Sequence, residues 1–144
     1  MGDIEGFDIL YSSGFIGQGS YGSVYRAQNK ETGEFAAVKQ LIIPSYDFES
    51  RLKSFRSDFE YVKLLGDKHR HILKMIKTEE EEDGPSLYVK LVTEYCTLHD
   101  LENYALKYFL TIPHRLKIMY QAASGLAFMH GQNPPVIHRD IKPS

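Results

Sequence analysis

Gly17-Gln18-Gly19-Ser20-Tyr21-Gly22-Ser23-Val24 decides the fold. Glycines at this spacing let backbone N–H groups approach phosphate oxygens without obstruction from a Cβ. A plain glycine turn and the dinucleotide-binding fingerprint share the pattern, so the flanking sequence has to choose between them. The dinucleotide version needs a helix directly after the glycines. Here Ser23 to Gln28 reads as a strand, and Asn29-Lys30-Glu31-Thr32-Gly33-Glu34 is a turn signal. The glycines therefore bridge two strands as a flap.

Outward from the flap, Phe7 to Ile16 is apolar and β-favouring, and Phe35 to Ile43 forms a third strand stopped by Pro44. Strands joined by tight turns predict an antiparallel meander. Positions i and i+2 of a strand share a face, so Ala37 and Lys39 of Ala36-Ala37-Val38-Lys39 point the same way, toward the underside of the flap. Ala37 leaves room for a flat base, and Lys39 offers a positive charge to phosphate. The competing reading of Lys39 is a solvated lysine on an edge strand.

From Ser50 to Leu65 the period changes. Leu52, Phe55, Phe59, Val62 and Leu65 mark one face of an amphipathic helix, with Gly66 as its stop. Glu60 lies at the margin of that apolar stripe, where a carboxylate can reach a lysine on the neighbouring sheet or remain at the surface. Ile72–Ile76 and Leu87–Tyr95 read as a second hairpin, separated by the acidic run Glu79–Asp83, expected as a solvated tip, and by Gly84-Pro85. Asp100 caps a short helix through Tyr104. Thr111 and Pro113 open a longer one, with Leu116, Met119, Ala123, Leu126 and His130 at helical spacing and Gly131 at its end. In His138-Arg139-Asp140-Ile141-Lys142-Pro143, an acidic residue between basic ones can accept a proton from an attacking hydroxyl. A lysine two residues on can balance charge on a transferred phosphoryl group.

Composition narrows the classes. The 144 residues carry 17 Lys and Arg against 19 Asp and Glu, a formal charge of −2, with no basic arm, which argues against a nucleic-acid binder. The single cysteine, Cys96, excludes an internal disulfide framework and fits a reducing compartment. No apolar stretch approaches the roughly 20 residues of a membrane span, so the expected setting is cytoplasmic with no membrane partner. The six histidines are too scattered in sequence for a metal site. Cys96 reads as a small half-buried residue.

The ordered set of motifs resembles the eukaryotic protein kinase domain of the Ser/Thr type, from about Phe7 to the last residue. Gly17-x-Gly19-x-x-Gly22-x-Val24 resembles the glycine-rich loop. Ala36-Ala37-Val38-Lys39 keeps the alanine and lysine of Val-Ala-Ile-Lys, and Glu60 falls nine residues before His69-Arg70-His71-Ile72, as the lysine's partner does. Val92-Thr93-Glu94-Tyr95-Cys96 resembles the hinge, and His138-Arg139-Asp140 the catalytic loop.

The resemblance implies an α+β fold. Its antiparallel five-stranded small lobe with one long helix (7–93) is followed by a hinge (94–97) and the first helices of a large lobe (98–144). It implies ATP as phosphoryl donor, contacted by Ile16, Gly17, Gly19, Ser20, Gly22, Val24, Ala37, Lys39, Thr93 as gatekeeper, and the backbone at Glu94 and Cys96. Asp140 would be the base, assisted by Lys142, with Lys39 held by Glu60. The acceptor would be a protein Ser or Thr hydroxyl.

Mg2+ is expected for the family, but its ligands, the asparagine after Ser144 and the Asp-Phe-Gly motif, have no counterpart in these residues. The 144 residues alone are therefore expected not to transfer phosphate to protein, because charge stabilisation by metal ions contributes more to the rate than a positioned base does. The competing function is a catalytically inactive nucleotide-binding or scaffolding fragment, with a protein partner on the apolar face of the long helix. A dinucleotide-dependent oxidoreductase is the weaker alternative.

Overall fold

The structure is a computed structural model that describes residues 4–19, 22–44, 60, 63–138 and 140–143. The chain divides into two compact units: Met1–Lys63 with Lys74–Tyr95, and Leu64–Leu73 with Cys96–Ser144.

The first unit is an antiparallel sheet of β1 (Phe7–Ile9), β2 (Phe15–Gly19), β3 (Gly22–Asn29), β4 (Phe35–Pro44), β5 (Met75–Asp83) and β6 (Ser86–Glu94). Its order is β1-β3-β4-β6-β5, with β2 also pairing on β3. The predicted strand Phe7–Ile16 is two strands. Tyr11-Ser12-Ser13-Gly14 turns the chain, with the Gly14 N–H donating to the Leu10 carbonyl at 2.7 Å. A Cβ on Gly14 would lie 2.6 Å from that same oxygen. Small polar residues and glycine make this turn, which the apolar residues around it obscure in the sequence.

The second hairpin also differs from expectation. Its turn is Gly84-Pro85, with Gly84 at φ +59°, and the acidic run is strand, not tip. The acidic side chains are tolerated because β5 is an edge strand and cations answer them. Lys77 Nζ lies 2.7 Å from Glu79 and 3.0 Å from Glu5. The nearly buried Lys90 reaches Glu81 at 3.4 Å.

Both faces of the sheet are buried along β4 and β6. On one face Ala36, Val38 and Val92 pack with Ala27, Ile9, Phe7 and the fully buried Ile4. On the other, Leu41, Ile43, Leu87 and Val89 pack together with Leu91 against them. Burial of this apolar area is the main source of stability, at about 25 cal/mol per Å². Of the predicted helix Ser50–Leu65, Glu60 and residues 63–66 are helical, while Leu52, Phe55, Phe59 and Val62 lie outside the described residues.

The second unit contains α1 (Leu101–Lys107) and α2 (Ile112–His130). Asp100 caps α1, its Oδ1 accepting from the Asn103 N–H at 2.7 Å. That bond, followed by one from the Asn103 side chain, holds the Asp100 carboxyl below the usual range. The helix runs one turn beyond its expected end at Tyr104, to Lys107. Pro113 opens α2 and Gly131 closes it, as the sequence predicts.

Segment Leu64–Leu73 docks on α2 through histidines. The His71 N–H donates to His69 Nδ1 at 3.2 Å. The His69 ring proton therefore sits on Nε2 and faces Ser124 Oγ at 3.3 Å. The same ring stacks on Phe128 with centroids 5.0 Å apart. Gly125 permits this approach, since a Cβ there would meet the His71 carbonyl at 2.9 Å. No helix among the described residues is long and apolar enough to cross a membrane.

Desolvation against this contact, then the nearby Arg70 and His69, hold the His71 imidazole below its ordinary pKa. The unfolded chain therefore takes up the proton first as pH falls. The stability that depends on neutral His71 is complete above the ordinary value of about 6.5 and declines below it. Hydrogen exchange of α2 amides near Gly125, followed from about pH 7.5 to 5.5, is expected to quicken in the native chain beyond its intrinsic pH trend. The increase should be smaller in His71→Gln. Identical pH dependence in the two proteins would contradict this.

Candidate functional site

The register of three strands places the predicted nucleotide residues. Val24 pairs with Lys39, and Lys39 with Leu91; Arg26 pairs with Ala37, and Ala37 with Thr93. Residues directly opposite across antiparallel strands share a face. Val24, Ala37, Lys39 and Thr93 therefore line one face of the sheet, the one that carries Leu41 and Val89 farther along. Lys39 is on β4, an interior strand and not an edge. The strands thus give its ammonium a fixed base beside an alanine that leaves space.

The flap is held by two local features. Pairing shifts between Phe15 and Gly17, so Ile16 is the extra residue of a bulge, and Gly17 lies opposite Val24. Gly22 adopts φ +136°, and a Cβ there would fall 1.9 Å from the Gln40 carbonyl oxygen. Glycine at position 22 is thus demanded by backbone approach. Gly17 is different, because no atom of the described residues lies within 4 Å of where its Cβ would be. Gly19 pairs with Gly22, and Ser20 lies outside the described residues.

At the end of β6 the Glu94 N–H donates to the Lys74 carbonyl at 3.0 Å, and Glu94 Oε1 accepts from the Lys74 N–H at 2.7 Å. Thr93 Oγ1 donates to the Glu94 carbonyl at 3.3 Å. Glu60 is helical and exposed. The ion pairs found among the described residues do not include one between Glu60 and Lys39.

In the second unit, Cys96 is exposed and outside any disulfide, where the sequence suggested half-burial. Its carbonyl accepts from the His99 N–H at 3.0 Å in a turn that sets His99 at φ 60°. The Asp140 N–H donates to His138 Nδ1 at 3.3 Å. Lys142 Nζ lies 3.3 Å from Asp140 Oδ2, both side chains more than half exposed. The loop is tied to α1 by the Glu102 N–H, which donates to the Pro143 carbonyl at 3.1 Å. Asp140 and Lys142 are therefore brought together. Such an exposed pair stabilises little by itself, which leaves the carboxylate available to a proton donor. Among the described residues no three His, Cys, Asp or Glu side chains gather as ligands for a metal ion.

The family model for the protein kinase domain matches residues 11–144. The chain belongs to the protein kinase domain family. It is 30% identical to the cyclin-dependent kinase B2-1 of Oryza sativa subsp. japonica, over 99% of this chain and 44% of that protein. It is 32% identical to mitogen-activated protein kinase kinase kinase A of Dictyostelium discoideum, over 96% of this chain and 14% of that one. With the serine/threonine-protein kinase WNK of Caenorhabditis elegans it shares 36% identity over 88% of this chain and 7% of the relative. The chain thus spans less than half the length of each of these kinases.

Sequence reading missed the histidine docking of His69 and His71, because the partners Ser124 and Phe128 are more than 50 residues away. It also missed the stack of Arg26 on Phe35, which alternation along β3 and β4 could have suggested.

The two glycines separate folding from ligand contact. Gly22→Ala is expected to destabilise the chain by about 3 kcal/mol or more, and Gly17→Ala to stay within about 0.5 kcal/mol of the native chain, as read by denaturant midpoints. Equal stability of the two variants would contradict a packing role for Gly22.

Proposed function

We propose that this chain supplies the nucleotide site and the catalytic-loop base for ATP-dependent phosphoryl transfer to protein Ser or Thr hydroxyls. The observation that carries the reading is the common face of Val24, Ala37, Lys39 and Thr93 in one continuous register. A flat base has room at Ala37 between Val24 and Thr93. The backbone at Glu94 and Cys96 would read the adenine edge. Lys39 would bind phosphate oxygens, with Glu60 as its anchor, and Ile16, Gly17, Gly19, Ser20 and Gly22 would cover the phosphates.

In the transfer step the acceptor oxygen bonds to the γ-phosphorus as the bond to the ADP oxygen breaks, and the hydroxyl proton passes to Asp140. Lys142 balances charge on the phosphoryl group. The Ser/Thr preference rests on Lys142 two residues after Asp140 and on the names of the relatives. The single cysteine fits a reducing compartment, and we place the protein in the cytoplasm.

A second reading, a nucleotide-binding or scaffolding segment, is favoured by α2. Ile112, Leu116, Met119 and Tyr120 are each at least 60% exposed on it. An apolar surface of this kind marks a place where another polypeptide docks.

The two readings separate at Lys39. On the 144-residue chain, Lys39→Met is expected to weaken ATP binding by about 10- to 100-fold in titration calorimetry, the effect of a lost charge-assisted contact. Asp140→Asn should leave that affinity unchanged. In a protein kinase carrying these residues it should lower transfer by about 10²–10⁴-fold. Native ATP affinity in Lys39→Met would overturn the nucleotide reading, whereas docking on α2 is insensitive to that substitution.

A further inference from the structure

The ladder between β4 and β6 ends at Ala36 opposite Glu94. The next residue, Tyr95, is met from the side by an aromatic ring. Phe35 and Tyr95 lie edge to face, with centroids 6.3 Å apart and ring planes at 63°. Phe35 is in turn covered by Arg26, whose guanidinium carbon sits 4.8 Å from the ring centroid. Arg26 Nε is shut from solvent and has no hydrogen-bond partner among the described residues. A guanidinium that gives up a hydrogen bond to lie over a ring is held there by that ring. From the other side Glu94 is fixed to Lys74 by its backbone N–H and its carboxylate. With its N–H used in this way, Glu94 can still offer a ligand the second lone pair of its carbonyl, the first accepting from Thr93 Oγ1.

We infer that Arg26 and Phe35, through Tyr95, are positioning residues that hold the Thr93–Tyr95 backbone in the geometry that reads the adenine edge. This rests on the nucleotide reading proposed above. All of these residues belong to one compact unit, so the brace works within the sheet itself. Arg26 lies directly opposite Ala37, and Phe35 two residues before it, on the same face of the sheet. They fix the linker before nucleotide arrives, and binding then orders less chain. Phe35 is 47% exposed, so truncating it leaves the cores on both faces of the sheet in place.

The test compares ATP with inorganic tripolyphosphate, which has no base to read, by calorimetry on the full 144-residue chain. Phe35→Ala is expected to weaken ATP by about 3- to 10-fold, the worth of one aromatic pair, and to leave tripolyphosphate unchanged. Phe35→Tyr should restore ATP binding. Arg26→Lys keeps the charge but not the flat stack, and should show the same selective loss to a smaller degree; it serves as the test if Phe35→Ala does not fold. ATP affinity unchanged in the variants, or ATP and tripolyphosphate weakened alike, would overturn the brace while leaving the nucleotide reading intact. A native chain that retains tripolyphosphate but not ATP, or neither, would overturn the nucleotide reading and the brace with it.

Discussion

The alignment of β3, β4 and β6 is the constraint on which the rest depends. In an antiparallel sheet a slip of one residue sends every side chain to the opposite face. The pairings Val24 with Lys39 and Ala37 with Thr93 therefore carry a chemical meaning beyond their hydrogen bonds. A one-residue slip of β4 would drive Lys39 toward the packed face of Val38 and Val92 and expose an apolar row in its place. Burial on both faces makes that slip expensive, so the same hydrophobic packing that stabilises the sheet also aims the lysine.

Gly22 strengthens this constraint at its open end. The flap strand approaches β4 so closely that the Gln40 carbonyl occupies the space a Cβ would need. A residue that looks from sequence like a phosphate-binding glycine is here a packing glycine first. Gly17 has open space around its Cβ direction, so no packing contact among the described residues demands glycine there. Similar residues in one motif thus have separate physical reasons.

Much of the site was legible in the sequence because its signals are local. Alternation placed Ala37 and Lys39 on one face, the turn after Gln28 excluded a helix behind the glycines, and Asp100 marked a helix start. Non-local effects were not legible. Tyr11 to Gly14 breaks what composition presents as one strand. Glu79 to Asp83 extends as strand with Lys77 beside Glu79 and with Lys90, brought by the neighbouring strand, beside Glu81. His69 and His71 looked scattered until α2 supplied Ser124, Gly125 and Phe128.

The central claim, that Lys39 is the cation facing the triphosphate, can be tested directly with an ATP acyl phosphate, which transfers its acyl group to a lysine amine near the phosphates and releases ATP. Peptide mapping of the treated chain should find the acyl group on Lys39, with labelling suppressed by excess ATP, while exposed lysines such as Lys30 react weakly and without ATP protection. Labelling spread over surface lysines with Lys39 unmodified, or modification of Lys39 that ATP does not suppress, would contradict the account.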